Sequence, residues 1–169
     1  RAIASALPLL LDADALNLVA SRAPLRDALR ARDGATILTP HPAEAARLLA
    51  TDVAGVQRDR LGAAQALARA CNAHVVVKGA GSVLANPDGS FDINASGNPA
   101  LAAAGTGDVL SGMTGALLAQ RIDARPALRI GVCAHGAAAD SLAARGVGPM
   151  GVPASMFADE ARDLINAAR

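Results

Sequence analysis

The chain has 169 residues, a length that suits one domain able to bury roughly 70% of its unfolded surface. Hydrophobic residues make up 52% and aromatic residues 1%, so the core is built from small and branched aliphatics, and stacking platforms for nucleic-acid bases are excluded. With 16 basic and 15 acidic residues the net charge is +1, which leaves no electrostatic footprint for nucleic acid or an anionic membrane.

Small molecules or other subunits are therefore the expected partners. Cys71 and Cys133 show no CxxC spacing, which predicts inert buried thiols in a reducing cytoplasm rather than a disulfide framework. No apolar run approaches the roughly 20 residues that span a bilayer. The chain starts at Arg1 without methionine, and its opening RAIASALPLLLDAD reads like the tail of one element followed by a strand. It is expected to begin inside a larger protein.

In chain order, three short apolar runs end in polar or turn residues: 7-LPLLLDAD-14, 35-ATILTPHP-42 and 74-HVVVKGAG-81. They predict parallel strands. Between them 13-ADALNLVAS-21, 43-AEAARLLA-50 and 57-QRDRLGAAQALARACN-72 carry apolar residues at helical spacing. This alternation predicts a layered α/β sheet with helices on its faces. The segment 82-SVLANPDGSFDIN-94 reads as an antiparallel hairpin around Pro-Asp-Gly, followed by a loop of small residues over 95–107. Helices are predicted at 108–120, 126–143 and 155–169, the last with Ser155 as its N-cap. No repeat or linker marks a second domain.

In such a sheet a ligand sits outside the carboxyl ends of the strands, and the polar residues gather there. The first strand ends in Asp12 and Asp14 with Asn17 a turn later, the second in Thr39, His41 and Glu44, the third in Lys78 and Gly79. Asp12 and Asp14 read either as strand-end caps or as ligand contacts. Lys78 is the only lysine in a chain that otherwise uses arginine. It is either an ordinary strand-end lysine or a phosphate contact at the mouth of the KGAGS turn. Asp108 follows Gly105-Thr106-Gly107 at a helix start, where an acid either caps free N–H groups or stands beside a bound anion as a base. Glu44 caps the helix after Pro42 or reaches Mg²⁺ or a water. His41, between two prolines, has an aimed ring, whereas His135 reads as a helix-packing residue and His74 as structural. The Walker loop is absent, GxGxxG is incomplete at both 79–84 and 105–110, and neither a zinc spacing nor a GxSxG elbow occurs.

Taken together, LDADALN at 11–17, TPHPAEAARLL at 39–49, KGAGS at 78–82 and GNPALAAAGTGDVLSGMTGALLAQ at 97–120 resemble the ADP-dependent NAD(P)H-hydrate dehydratases over essentially the whole chain. The resemblance implies an α/β, ribokinase-like layered sheet with helices on both faces. The family domain is longer, so residues 1–169 are expected to be the C-terminal portion of a single domain, incomplete at the N-terminus. Some members carry an epimerase domain upstream. The resemblance further implies a lyase that restores NADH or NADPH from its hydrate, with ADP as phosphoryl donor, Mg²⁺ as cofactor and a tetrameric homo-oligomer.

In the wider ribokinase-like group a glycine-Asp motif supplies an anion hole and a base, and Gly105, Thr106, Gly107 and Asp108 match it. By the same resemblance Asp108 and His41 contact the hydrated nicotinamide nucleotide, while Lys78, Gly79, Ala80, Gly81, Ser82 and Gly107 contact the adenine nucleotide. His41 and Glu44 align with an Asn-x-x-Glu motif whose acid supports Mg²⁺, with histidine in place of asparagine. Ala100 and Ala104 stand where many members have glycine, which adds a methyl near the anion loop. A ribokinase-like kinase of a sugar or vitamin precursor would use the same hole and base, and a non-catalytic nucleotide-binding module is the alternative from another class.

Overall fold

Apolar runs too short for a helix and rich in Leu and Val pair here as strands. The computed structural model describes residues 1–168, and within them β1 (Leu9–Leu11), β2 (Thr36–Leu38) and β3 (His74–Val77) run parallel, with Leu11 opposite Leu38 and Leu38 opposite Val75. β4 (Val83–Ala85) and β5 (Phe91–Ile93) form the expected hairpin and extend the sheet antiparallel to β3, giving the order β1-β2-β3-β4-β5.

Eight helices pack around this sheet: α1 (Asp14–Ser21), α2 (Ala23–Arg30), α3 (Pro42–Leu48), α4 (Val53–Arg58), α5 (Arg60–Cys71), α6 (Thr106–Ala119), α7 (Ala124–Ala144) and α8 (Ala154–Ala167). Successive strand residues alternate between faces. Leu38, Val75 and Val77 therefore join one cluster with Leu16 and Leu67, while Ile37, Val76 and Leu84 join another with Leu110 and Leu128. Helices thus cover both faces, as expected. A third cluster around Phe157, Ala138 and Leu142 ties α8 to α7 beyond the sheet.

Five details differ from the sequence reading. Cys133 is exposed on the outer side of α7 rather than buried, whereas Cys71 is buried as expected. α2 was not foreseen: Arg22 alone separates it from α1, and Pro24 in its first turn fixes the new start. The helix expected over 57–72 is two helices, because Asp59 accepts the Gly62 N–H at 2.8 Å and caps α5. Ser155 is not an N-cap but lies inside α8, whose cap position is Pro153 without a side-chain hydrogen bond. α6 begins at Thr106 rather than 108, since Gly105 sits in the left-handed region (φ 84°) and turns the chain into the helix.

Arg32 anchors the first residues. Its buried guanidinium donates to the carbonyls of Ile3 (2.5 Å), Ser5 (2.7 Å) and Leu7 (2.8 Å). Among the described residues no helix is long and apolar enough to cross a membrane.

Candidate active site

The three parallel strands end side by side, and each delivers polar side chains to the same edge. β1 leads into Asp12, β2 into Thr39 and His41, and β3 into Lys78, whose N–H donates to the Pro40 carbonyl at 2.9 Å. The N-terminus of α6 faces them. Its first intrahelical bond runs from the Val109 N–H to the Gly105 carbonyl, and the Gly107 and Asp108 N–H groups have no partner among the described residues. Bare N–H groups at a helix start suit an anion.

Lys78 Nζ lies 3.0 Å from Asp12 Oδ1, and Ser111 donates to Asp12 Oδ2 at 2.6 Å. The Thr39 and Ser111 hydroxyls are 3.3 Å apart. Burial alone would raise the Asp12 pKa, but the Ser111 hydrogen bond and the Lys78 charge outweigh it and hold the carboxyl below its ordinary value. The ion pair rests against Gly107, where a Cβ would stand 3.3 Å from Lys78 Nζ. A side chain there would push the ammonium aside by a few tenths of an ångström.

The KGAGS turn is braced from both ends. The Gly79 N–H donates to Ser82 Oγ at 3.2 Å, and Arg60 donates to the carbonyls of Ala80 and, at 2.5 Å, Gly81. With those carbonyls engaged, the Ala80 and Gly81 N–H groups have no partner among the described residues and can donate to phosphate oxygens.

Two cavities open on either side of this arrangement. The first, of about 380 Å³, is walled by the 78–82 turn, by the 96–99 loop and by His135 and Gly136 of α7. The second, of about 450 Å³, is walled by Asp12, His41, Glu44, Gly105 and Asp108. Lys78, Gly79, Thr106 and Gly107 line both. Of the residues expected to hold an adenine nucleotide, Ala80, Gly81 and Ser82 line only the first cavity, Lys78, Gly79, Thr106 and Gly107 line both, and Gly105 lines only the second, together with His41 and Asp108, which are expected to face a second substrate.

His41 and Glu44 form a capping box. His41 Nδ1 accepts from the N–H groups of Ala43 (3.1 Å) and Glu44 (3.3 Å), and Glu44 Oε2 accepts the His41 N–H at 2.8 Å. The imidazole proton is therefore on Nε2, 3.3 Å from Glu44 Oε1. Both Glu44 oxygens are engaged and the residue is buried. No group of three or more His, Cys, Asp or Glu side chains capable of holding a metal exists among the described residues; a single carboxylate acting through water, as expected of Glu44, suits Mg²⁺ that is held mainly by phosphates and water.

Asp108 is exposed on the wall of the second cavity and makes no side-chain hydrogen bond among the described residues. Asp14 points to solvent, and Asn17 accepts from Arg47 at 2.9 Å away from the cavities. His74 bonds Asn86 Oδ1 at 2.7 Å beneath the hairpin. His135 is buried as expected, yet it also lines the first cavity.

Ser111, Arg60 and Asp140 were missed. Ser111 lies one helical turn beyond Gly107, a spacing that would have placed it on the same face. Asp140 holds the 96–99 loop to α7 by accepting the Gly97 N–H at 2.7 Å and the Asn98 amide at 3.1 Å. Arg60 carries no local signal, because a helix-start arginine reads as surface.

Close approach at Gly136 fixes the same loop. A Cβ there would overlap the Ser96 side chain and come within 2.7 Å of its carbonyl oxygen. Gly136→Ala is expected to cost about 1–3 kcal/mol of stability by pushing the loop off α7. Denaturant titration checks this, and a wild-type value would show that the loop does not need the glycine.

A family model described as NAD(P)H-hydrate dehydratase matches residues 1–161. The ADP-dependent (S)-NAD(P)H-hydrate dehydratase of Neisseria meningitidis serogroup B is 46% identical over 159 residues, which cover 94% of this chain and 53% of that protein. The crystal structure of an ADP/ATP-dependent NAD(P)H-hydrate dehydratase from Bacillus subtilis, co-crystallised with ATP/Mg²⁺, superposes with a TM-score of 0.88 at 32% identity, covering 99% of this chain and 57% of that one. A ribokinase-like superfamily protein from Enterococcus faecalis V583 shares the fold, with a TM-score of 0.72 at 21% identity over 93% of this chain and 52% of its own. The chain thus spans about half the length of these relatives. On the match that runs from Arg1 to Ala161, the chain belongs to the NAD(P)H-hydrate dehydratase family.

Proposed function

We propose that this chain carries the nucleotide and transfer site of an ADP-dependent dehydratase that returns hydrated NADH or NADPH to the reduced cofactor. The observation that supports this reading best is the pair of cavities joined at the Lys78–Gly107 wall. A phosphoryl donor in the first and a hydroxyl acceptor in the second would meet where a cation and free helix N–H groups converge.

In this reading the 78–82 turn holds the ADP phosphates. Asp108 takes the proton of the ring hydroxyl, whose oxygen attacks the terminal phosphorus as the bond to the AMP oxygen breaks. The ring phosphate then leaves with its C–O bond pair and the adjacent ring carbon gives up a proton to water as the double bond re-forms, so ADP and the hydrate yield AMP, phosphate and reduced cofactor. Lys78 and the α6 N–H groups offset charge on the moving phosphoryl group, the preorganised stabilisation that phosphoryl transfer depends on. Magnesium belongs with the nucleotide phosphates, where that ion keeps most of its waters. His41 shapes the second cavity and is not a base, because its Nδ1 is already engaged.

The test is a coupled assay of the full-length protein with hydrated NADH, Mg²⁺ and either ADP or ATP. Recovery of reduced-nicotinamide absorbance with stoichiometric AMP and phosphate is expected with ADP. Accumulation of a stable phosphorylated product instead would make the protein a ribokinase-like kinase, and ADP binding without turnover would make it a non-catalytic module.

A further inference from the structure

Asp12 is in an unfavourable place for a site that binds anions. Its carboxylate, 12% exposed, lines the second cavity beside Lys78 of the shared wall, where a negative charge disfavours phosphate. The fold nevertheless holds it there at some cost. Ala13, next in the chain, adopts φ 52° and ψ −122°, a backbone conformation that L-residues rarely take and that persists only where the surroundings impose it. In that conformation the Ala13 N–H donates to Asp12 Oδ1 at 2.9 Å, while Ser111 fixes Oδ2 from α6 at 2.6 Å. Both oxygens are therefore fixed before Lys78 arrives. Lys78 then meets Oδ1 at 3.0 Å, with its ammonium against the bare Gly107 Cα.

We propose that Asp12, fixed by Ser111 and the Ala13 N–H, is a positioning residue that holds the Lys78 ammonium at the point of phosphoryl transfer, lowering affinity for the nucleotide in exchange for rate. This rests on the function proposed above. A free lysine has four rotatable bonds and follows whichever phosphate oxygen is nearest. Anchored from behind, the ammonium stays at the wall between donor and acceptor, where charge moves during transfer. Asp12 does not touch the reacting atoms but acts through Lys78. The lowered pKa of Asp12 is consistent with a carboxylate kept ionised for this contact.

The consequence separates positioning from structure. Asp12→Asn is expected to lower kcat about tenfold to a hundredfold, the worth of one charged hydrogen bond, while ADP binds as tightly as before or tighter, because a repelling charge has gone. A merely structural Asp12 would weaken both together. Ser111→Ala, a milder change, is expected to shift both readouts in the same directions by less. In a Lys78→Ala background Asp12→Asn is expected to cost nothing more in kcat.

The experiment combines the assay above with ADP calorimetry on wild type, Asp12→Asn, Ser111→Ala, Lys78→Ala and the Asp12→Asn/Lys78→Ala double variant. Parallel loss of kcat and ADP affinity in Asp12→Asn, or a further tenfold loss of kcat in the double variant, overturns the proposal. A wild type without dehydratase turnover overturns the functional reading instead. The positioning claim is then decided by NMR of lysine side chains, with the Lys78 signal assigned by its loss in Lys78→Arg. Collapse of that signal toward the free-lysine position in Asp12→Asn supports it, and an unmoved signal overturns it.

Discussion

Asp108→Asn is expected to lower kcat about 10²- to 10⁴-fold, the usual contribution of a positioned general base, with ADP affinity nearly unchanged. Asn has the same shape and keeps a polar oxygen in the first turn of α6, but it cannot accept the proton of an attacking hydroxyl. Asp108 makes no side-chain hydrogen bond among the described residues and is exposed on the second cavity, so no packing is lost. Its stability role is limited to a favourable charge at the helix start, about 0.3–1 kcal/mol at most. The two readings of this acid thus predict opposite patterns. A base gives a small change in melting temperature and a large fall in turnover, whereas a cap gives the reverse. Steady-state recovery of reduced nicotinamide, with a thermal melt on the same samples, decides between them, and near-normal turnover in the variant would remove Asp108 from the chemistry.

The sheet was legible because its parallel strands are buried on both faces and read as unbroken runs such as Val75-Val76-Val77. α2 was not: Leu25 and Leu29 stand one turn apart on the face it turns to the core, but the helix has only eight residues and Pro24 at its start reads as a loop. The break at Asp59 was hidden for a related reason. An aspartate inside a helical pattern reads as surface until its carboxylate is seen capping the next helix. Within the site, the glycine-rich turns were legible because their chemistry is local: bare backbone next to a cation or an acid. The link from Lys78 through Asp12 to Ser111 was not, since it joins positions from three elements that meet only in the tertiary fold. Sequence left Asp12 and Asp14 equivalent. The left-handed turn at Ala13 separates them, sending one carboxylate to Lys78 and the other to solvent.

The stability of the fold is expected to fall as pH drops from 6.5 to 4, and His135 is the cause. Its ring is buried on α7, with its edge toward Phe157 of α8 at 6.0 Å between centroids. Burial pushes its pKa down to about 4 from the ordinary 6.5, against a raising contact with the Thr106 carbonyl and with the Lys78 charge adding to the fall. Between these values the unfolded chain binds a proton that the folded one refuses, so stability rises with pH across the window and is lost on acidification. The full effect is on the order of 3 kcal/mol. Asp12 acts in a different range, since its lowered pKa keeps its contribution until pH falls below 3.8. Denaturant titrations at pH 7, 6, 5 and 4 measure the slope. His135→Gln is expected to flatten it whatever the variant's stability at pH 7, because glutamine does not titrate. An equally steep fall in His135→Gln would move the cause to another group. Protonated His135 would also place a charge on the wall of the first cavity, so the same acidification is expected to change the packing of α7 against the 96–99 loop before the chain unfolds, visible as a change in ADP affinity that His135→Gln does not share.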